Sequence, residues 1–299
     1  PGGGAWTYTV LLASLGVGAV TVAFLLPRLR VLISRKRLLR DGTLLQAAMA
    51  VATGVAEVVV CYRALNGRSG QRYSAGVSGT LITGSAIHYG YYMPFGLLTP
   101  ASWVALFTRR YMHLTGCTQD ALFEIAQATR DYAVRNPAAF FYQRPMTRAD
   151  YDAGKKICNP LTLYDCCQES DGGCAIVVTT PERARHLKQP GVSIRGVAQC
   201  IAKDQEEMTS FYRPDIARIP EMDLAADEAY AQCGLSAQDI DAAVIYDAFT
   251  PIVLWQLESW GFCKYGEAAD FVQAGNLRPN GRLPSNTHGG QLSAAYIHG

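Results

Sequence analysis

The stretch VIYDAFTPIVLW, residues 244–255, decides how this chain is read. Val244 and Ile245 close an apolar run, Thr250 is of a type that caps helices, and Pro251 suits a first helical turn. The pattern predicts a buried strand, a sharp turn and a helix within twelve residues. Tyr246 and Asp247 then fall at the mouth of the strand, where open α/β sheets place their ligands.

Outward from this stretch the chain alternates. TLLQAAMAVATG (43–54) predicts a helix ended by Gly54, and VAEVVVCYRAL (55–65) a β-branched strand buried on both faces. Residues 63–170 hold most of the Tyr, Phe and Pro in a mainly helical stretch. There TPASWVALFTRRYMHLTG (99–116) and TQDALFEIAQATRDYAVRNP (118–137) each carry a Thr start and a Gly or Asn-Pro stop, and TRAD (147–150) reads as a capping box. GCAIVVTT (173–180) predicts a strand, PERARHLK (181–188) a helix, VSIRGVAQ (192–199) a strand, EMDLAADEAYAQCG (221–234) a helix and DAAVIY (241–246) a strand. Strands alternating with helices imply parallel strands with helical crossovers, an α/β class, with about 63–170 inserted between two strands of one sheet.

Composition excludes several functions. Of the 299 residues 49% are hydrophobic and 17% charged, which describes a packed protein and not a disordered one. A net charge of +2, with basic residues dispersed except near 28–40, gives no case for nucleic acid. The nine cysteines show no C-x-x-C spacing and no histidines at zinc-finger distance, so reduced thiols in a cytoplasmic enzyme are expected and a metal site is not. The N-terminus differs from the rest. Residues 6–27, WTYTVLLASLGVGAVTVAFLLP, are uncharged and are followed by the basic RLRVLISRKRLLR, the pattern of a transmembrane helix with a cytoplasmic flank. Residues 1–40 are open to three readings: a membrane anchor, a secretory signal region, or a non-native segment fused to the remainder. The C-terminal AAYIHG reads as a helix cut in its middle.

The C-terminal GRLPSNTHGGQLSAAYIHG (281–299) supplies further candidates. Paired glycines before a helix start, Gly289 and Gly290, let backbone approach a ligand and present free N–H groups to an oxyanion, although such pairs are also plain turns. His288 beside them is a candidate donor or a surface turn residue, and Tyr296 is a candidate acid or base or a core aromatic on the helix that follows. His88, in SAIHYGYYMPFG, is a candidate to line a ligand tunnel. His113 and His186 lie on predicted helices and read as ordinary.

Four segments carry a family resemblance: GVAEVVVCYRALNGRSG, DCCQESDGGCAIVVTTPERA, VIYDAFTPIVLWQLESWGF and LPSNTHGGQLSAAYIHG. In this order they resemble the thiolase superfamily. They are most similar to its lipid-transfer or sterol-carrier branch, and within it to the aldolases that act on acyl-CoA intermediates of steroid side-chain degradation. The resemblance covers residues 41–299 and implies a layered fold of two βαβαββ halves, incomplete here: 41–180 as a partial first half with the loop insertion, and 181–299 as a shortened second half. Residues 1–40 are on this reading expected to be non-native. The Asp171-Gly172-Gly173 turn is implied to be structural.

The departures from thiolases carry the chemistry. Where a thiolase has its nucleophilic cysteine, at the start of the helix matching GTLLQAAMAVATG, this chain has RLLRDGT and no thiol. Acyl-enzyme chemistry is therefore not expected. The family's Asn-Glu-Ala-Phe motif corresponds to Tyr246, Asp247, Ala248 and Phe249, and its catalytic histidine, counted from Gly289-Gly290, to Tyr296. Two phenols at the reaction centre suit retro-aldol cleavage of a β-hydroxyacyl-CoA to a ketone and a shorter acyl-CoA such as propionyl-CoA. One tyrosine takes or relays the hydroxyl proton and the other protonates the enolate; the resemblance leaves open which does which. His288, Gly289 and Gly290 are implied as oxyanion donors, and Asp247 as an orienting group or a helix N-terminal carboxylate. No cofactor is expected beyond the coenzyme A of the substrate. A homodimer and a small OB-fold partner of the DUF35 type are implied by similarity. Two other functions remain open at this stage: a thiolase-like acyltransferase with an unrecognised nucleophile, and a non-catalytic protein that binds a lipid or sterol-CoA.

Overall fold

The helices in the middle of the chain begin and end at the caps legible in the sequence. In the computed structural model, which describes residues 51, 53–70, 72, 75, 89–204 and 211–297, α1 spans Pro100–Thr115 between a Thr99–Ser102 capping box and Gly116 at φ +75°. α2 (Gln119–Ala133) starts where the Thr118 side chain accepts from the Asp120 N–H, and α3 (Arg148–Asp152) where Thr147 and Asp150 exchange hydrogen bonds. Each cap satisfies N–H groups that a helix start leaves orphaned, typically for about 1 kcal/mol. Further along are α4 (Pro181–Ala184), α5 (Pro220–Cys233, ended at Gly234), α6 (Thr250–Ser259) and α7 (Ala268–Gln273).

The strands are fewer. β1 (Val58–Asn66) pairs with β4 (Asp171–Thr179), and β2 (Lys156–Cys158) pairs antiparallel with β3 (Leu161–Thr162). Three single-residue bridges join the rest: Cys166 with Phe249, Glu169 with Tyr296, and Ala243 with Ser285.

The chain divides into two units, residues 1–61 with 177–191 and residues 62–176 with 192–299. Within the first, the Glu57 carboxylate meets the Arg183 guanidinium at 2.6 Å, and the Glu57 carbonyl accepts from the Thr179 hydroxyl at 2.8 Å. The second holds the main core. Tyr111 of α1, Leu122 and Ile125 of α2, Leu254 and Leu257 of α6 and Val272 of α7 pack there with Leu283 and Leu292. Each such aliphatic side chain, fully buried, contributes roughly 1.5–3 kcal/mol.

One buried carboxylate ties the core to the start of α6. Asp165 is fully buried; its Oδ1 accepts from the Tyr151 hydroxyl (2.8 Å) and the Thr250 hydroxyl (2.7 Å), and its Oδ2 from the Thr162 N–H (2.7 Å) and hydroxyl (3.0 Å). Burial raises its pKa against the four hydrogen bonds, which pull the other way. Thr250 was expected to cap α6 but is its first residue: Phe249 holds the N-cap position without a side-chain hydrogen bond, and Thr250 is committed to Asp165.

Other expectations change as well. The VSIRGVAQ segment forms no strand, and DAAVIY is reduced to the bridge at Ala243. PERARHLK is helical only over Pro181–Ala184. The strand residues expected inside are on the surface: Val60, Ile176, Ile194 and Val244 are 55%, 60%, 69% and 84% exposed. The reason is physical. An apolar β-branched run marks a segment able to be buried, but burial needs a covering layer, which the paired β1 and β4 lack at Val60 and Ile176 among the described residues. A strand needs a neighbour for its ladder hydrogen bonds, which Ile194 and Val244 lack there. The helix predicted at 43–54 lies almost wholly outside the described residues, as do the apolar stretch 6–27 and His88.

Removing the Thr250 hydroxyl strips Asp165 of one donor without opening a large void. Thr250→Val is expected to lower the unfolding free energy by about 1–2 kcal/mol in urea titration, with an unchanged m-value. A variant as stable as the parent would show that the Asp165 cluster does not secure α6.

Candidate active site

The segment at 243–247 is held in place without a sheet around it. Its first residue follows strand rules: Ala243 bridges Ser285 in parallel, donating to the Pro284 carbonyl (3.1 Å) and accepting from the Asn286 N–H (2.9 Å). Beyond that, side-chain amides replace neighbouring strands. Asn286 receives the Ile245 N–H on Oδ1 (2.8 Å) and donates from Nδ2 to the Ile245 carbonyl (2.9 Å). Gln256 of α6 does the same one residue later, accepting from the Tyr246 N–H (3.1 Å) and donating to the Tyr246 carbonyl (2.7 Å). Each primary amide has a donor and an acceptor side by side, so it fits the backbone as another peptide would.

Asp247 comes next and turns inward. It is 1% exposed, with Oδ1 accepting from the Gln291 N–H (2.8 Å) and Oδ2 from the Leu292 N–H (3.3 Å). These N–H groups belong to the turn Gly290–Ala294, a single π-helical turn entered through Gly289 at φ +111° and Gly290 at φ +62°. A Cβ on Gly290 would lie 2.0 Å from Asp247 Oδ2, so only glycine lets the backbone close around the carboxylate. Burial pushes the Asp247 carboxyl up to about 6, although hydrogen bonds from Gln291, Leu292, its own backbone and Asn286 oppose the shift. Desolvation wins here.

The glycine turn does attract an anion, as the sequence suggested, but the anion is the protein's own. The Gly289 N–H is spent on the Asn286 carbonyl (2.8 Å), which removes it from the expected oxyanion donors. The turn is also not the start of a longer helix. Ala295 is extended (φ −166°, ψ 146°), and Tyr296 bridges Glu169 in parallel, its N–H donating to the Gln168 carbonyl (2.8 Å) and its carbonyl accepting from Ser170 (3.0 Å). Tyr296 therefore sits on a strand-like arm, not on a helix.

This geometry brings the two phenols together. The hydroxyls of Tyr246 and Tyr296 are 3.2 Å apart, with ring centroids 6.5 Å apart and planes inclined at 59°. Tyr296 is 7% exposed and Tyr246 39%, so one phenol is buried and the other faces solvent. Either hydroxyl can donate to the other. His288 stands differently. Its ring is on the surface and makes no hydrogen bond to the tyrosines or Asp247 among the described residues, while its carbonyl accepts from Asn136 Nδ2 (2.8 Å). Burial of part of the ring holds its pKa below the ordinary histidine value.

Three supporting residues carry no signal in the sequence. Gln256 and Asn286 carried no spacing signal, although Asn286 adopts φ +52°, a conformation that asparagine tolerates better than most residues. Arg130 is the third: 4% exposed, it lies 3.5 Å over the Phe141 ring and donates from Nε to the Ser293 hydroxyl (3.4 Å) of the glycine turn. Four thiols are held away from the thiolate form. Burial raises Cys167 strongly, with Cys166, Glu169 and Asp247 adding to it, and pushes Cys117, Cys166 and Cys263 up to about 12.

Comparison with known proteins shows the family to which the chain belongs. Residues 202–298 match the family described as thiolase C-terminal domain-like, and residues 1–67 match one described as a transmembrane secretion effector. Among the described residues no helix is long and apolar enough to cross a membrane. The chain is 56% identical over 260 residues to a steroid side-chain-cleaving aldolase of Thermomonospora curvata, covering 86% of this chain and 66% of the relative. It is 51% identical over 262 residues to the 17-hydroxy-3-oxo-4-pregnene-20-carboxyl-CoA lyase of Mycobacterium tuberculosis, covering 86% and 67%. It thus spans about two thirds of the length of the curated relatives it matches. Among solved structures, an Ltp2-ChsH2(DUF35) aldolase superposes with a TM-score of 0.79 at 55% identity, covering 86% of this chain and 65% of that one. A monomeric SCP2-thiolase like protein from Mycobacterium smegmatis superposes at 0.54 with 18% identity, covering 87% and 49%, a likeness of fold alone.

Two measurements test the Asp247 turn. Gly290→Ala should cost at least about 2 kcal/mol of stability in chemical unfolding, because a Cβ and the carboxylate would claim the same space. The raised pKa of Asp247 means that the folded chain holds this proton more tightly than the unfolded chain, whose value is about 3.9. Its stabilising contribution is complete below pH about 4 and is lost as pH rises through about 6, for a total of up to about 3 kcal/mol. The stability of the parent relative to Asp247→Asn should therefore fall across that window and stay level above it. A difference that is flat from pH 4 to 7 would refute the assignment.

Proposed function

The chain belongs to the thiolase superfamily, in the branch that holds the steroid side-chain-cleaving aldolases, and we propose that it cleaves a β-hydroxyacyl-CoA by retro-aldol chemistry at the Tyr246–Tyr296 pair. The reading rests on the 3.2 Å contact between the two hydroxyls. One phenol oxygen takes the β-hydroxyl proton, directly or by relay. The electrons of the O–H bond form the ketone, those of the Cα–Cβ bond pass into an enolate on the thioester, and the ketone departs. A proton delivered to Cα then completes the shorter acyl-CoA, such as propionyl-CoA. One proton is taken and one returned, and the hydroxyl contact lets the same pair do both. Donors aimed at the enolate oxygen lower the barrier further, commonly by about 3–4 kcal/mol each. His288 stays a candidate for that task.

Nothing in this sequence of steps calls for a metal, a redox cofactor or a sulfur nucleophile, and coenzyme A enters only as part of the substrate. Acyl transfer through cysteine has less support, since burial keeps the thiols of Cys117, Cys166, Cys167 and Cys263 in their protonated form. The aldolase whose structure superposes on this chain is described with a DUF35 partner, which supports a complex of the same kind here. A dimer of thiolase-like subunits is proposed on family likeness.

The test is to supply a branched β-hydroxyacyl-CoA to the full chain together with a DUF35-type partner and to follow ketone and propionyl-CoA. Tyr246→Phe and Tyr296→Phe should each lower kcat by about 10²–10⁴, with a smaller change in KM. Variants that turn over at the parental rate would remove the phenols from the mechanism.

A further inference from the structure

Backbone register sets Glu169 against Tyr296, and the cleavage steps leave this carboxylate without a task. The two residues form a parallel bridge: the Tyr296 N–H donates to the Gln168 carbonyl (2.8 Å), and the Ser170 N–H donates to the Tyr296 carbonyl (3.0 Å). Residues opposite one another in a ladder project to the same face, across a strand spacing of about 4.8 Å. Ile297 marks the other face. A Cβ on Gly172 would lie 2.8 Å from Ile297 Cγ2, so Gly172 faces as Ile297 does. Alternation then leaves Cys167, Glu169 and Asp171 on the Tyr296 side, where the Tyr296 hydroxyl meets that of Tyr246 at 3.2 Å. Glu169 is half-buried there.

The other ionisable groups on this side have different surroundings. Asp171 is turned to the loop after β1, where its Oδ1 accepts from the N–H groups of Arg68 (2.8 Å) and Ser69 (2.9 Å) and the Arg68 guanidinium adds its field. Asp247 is enclosed by the Gln291 and Leu292 N–H groups. Burial pushes the Cys167 thiol up, with Cys166, Glu169 and Asp247 adding to it, so Glu169 is felt deep in the site. A phenol with an ordinary pKa of about 10 is a weak base at neutral pH, whereas a carboxyl group with an ordinary value of about 4.3 is already in its basic form.

We propose that Glu169 is the proton acceptor behind the tyrosine pair, a positioning residue that acts through Tyr296. This rests on the retro-aldol reading and deepens it. As the β-hydroxyl gives its proton to the pair, the Tyr296 hydroxyl proton passes to the Glu169 carboxylate. The O–H electrons form the ketone, and those of the Cα–Cβ bond form the enolate. One proton then returns from the Glu169 carboxylic acid through the phenols to Cα, which completes the shorter acyl-CoA and restores the carboxylate. Neither phenol has to ionise beforehand.

The cleavage assay, run on the full chain with a DUF35-type partner, tests this with Glu169→Gln and Glu169→Asp, each checked for the parental circular dichroism spectrum and unfolding midpoint. Glu169→Gln should lower kcat by about 10²–10³ at pH 7, with KM within about threefold of the parent. Its kcat should then climb by about tenfold per pH unit between 7 and 9, more steeply than the parent's, because the phenol must ionise unaided. Glu169→Asp keeps a carboxylate and should exceed Glu169→Gln by at least about tenfold in kcat. If the glutamine variant does not fold, Glu169→Ala with added formate replaces it, and formate should raise kcat at least about fivefold where chloride does not. Parental kcat without the carboxylate, an equal loss in Glu169→Asp, a loss confined to KM, or no response to formate would overturn the proposal. The two readings fail separately. Cleavage lost in Tyr296→Phe but intact in Glu169→Gln keeps the phenols and removes Glu169. If the parent cleaves nothing, the retro-aldol reading falls and the pairing is read from tyrosinate absorbance, with the Tyr296 signal assigned by difference from Tyr296→Phe. That signal should appear at lower pH in Glu169→Gln, since a neighbouring negative charge has gone. Its appearance at the same pH in both would remove the pairing as well.

Discussion

A backbone segment that must be rigid but lies outside any extended sheet has to find its hydrogen bonds elsewhere, and that constraint organises the site. Residues 245 and 246 obtain theirs from the side-chain amides of Asn286 and Gln256, each serving one N–H and one carbonyl. An unpaired buried peptide group costs on the order of 1–3 kcal/mol, so these amides substitute for two missing rungs of a ladder. They come from the loop before the glycine turn and from α6, so both neighbours are fixed to the segment by the same bonds. Tyr246, itself 39% exposed, inherits a defined position between the buried Ile245 and Asp247.

Two internal carboxylates extend this logic. Asp165 gathers four donors and anchors the first residue of α6; Asp247 gathers two N–H groups and shapes the turn that leads to Tyr296. In both cases burial raises the pKa despite the hydrogen bonds, so each carboxyl opposes its own ionisation while organising its neighbours. That is a sign of positioning groups. Their position follows from packing, and the phenols they place are the groups that face the chemistry.

The tyrosine pair depends on several weak alignments at once. Tyr296 is delivered by a strand-like arm between Gln168 and Ser170, Tyr246 by the amide-clamped segment, and the two meet only because Asp247 draws the glycine turn toward the chain at 247. Arg130 also supports that turn through the Ser293 hydroxyl, stacked on Phe141 and kept at a pKa of about 10 by its burial. Arg130 forms no ion pair among the described residues, and aromatic faces, two oxygen acceptors and the field of Asp150 share its charge.

The residue pattern alone determined the local elements and the family. Thr99, Thr118 and Thr147 marked helix starts, and Gly116 and Gly234 helix ends, because capping is a short-range contest between a side chain and the nearest N–H groups. The absent nucleophilic cysteine and the two tyrosines in its family's motifs were legible too, since identity at a position needs no coordinates. The tertiary structure decided what the glycine turn binds, which residues serve as rungs, and that Tyr296 rides a strand and not a helix. Apart from the Gln256 rung, ten residues from Tyr246, those outcomes depend on groups forty or more residues apart competing for the same donors, as Asp247 does with any outside anion for the N–H groups of Gln291 and Leu292. Contacts of that range leave no periodicity in a sequence, because only the folded chain brings the competitors within hydrogen-bonding distance.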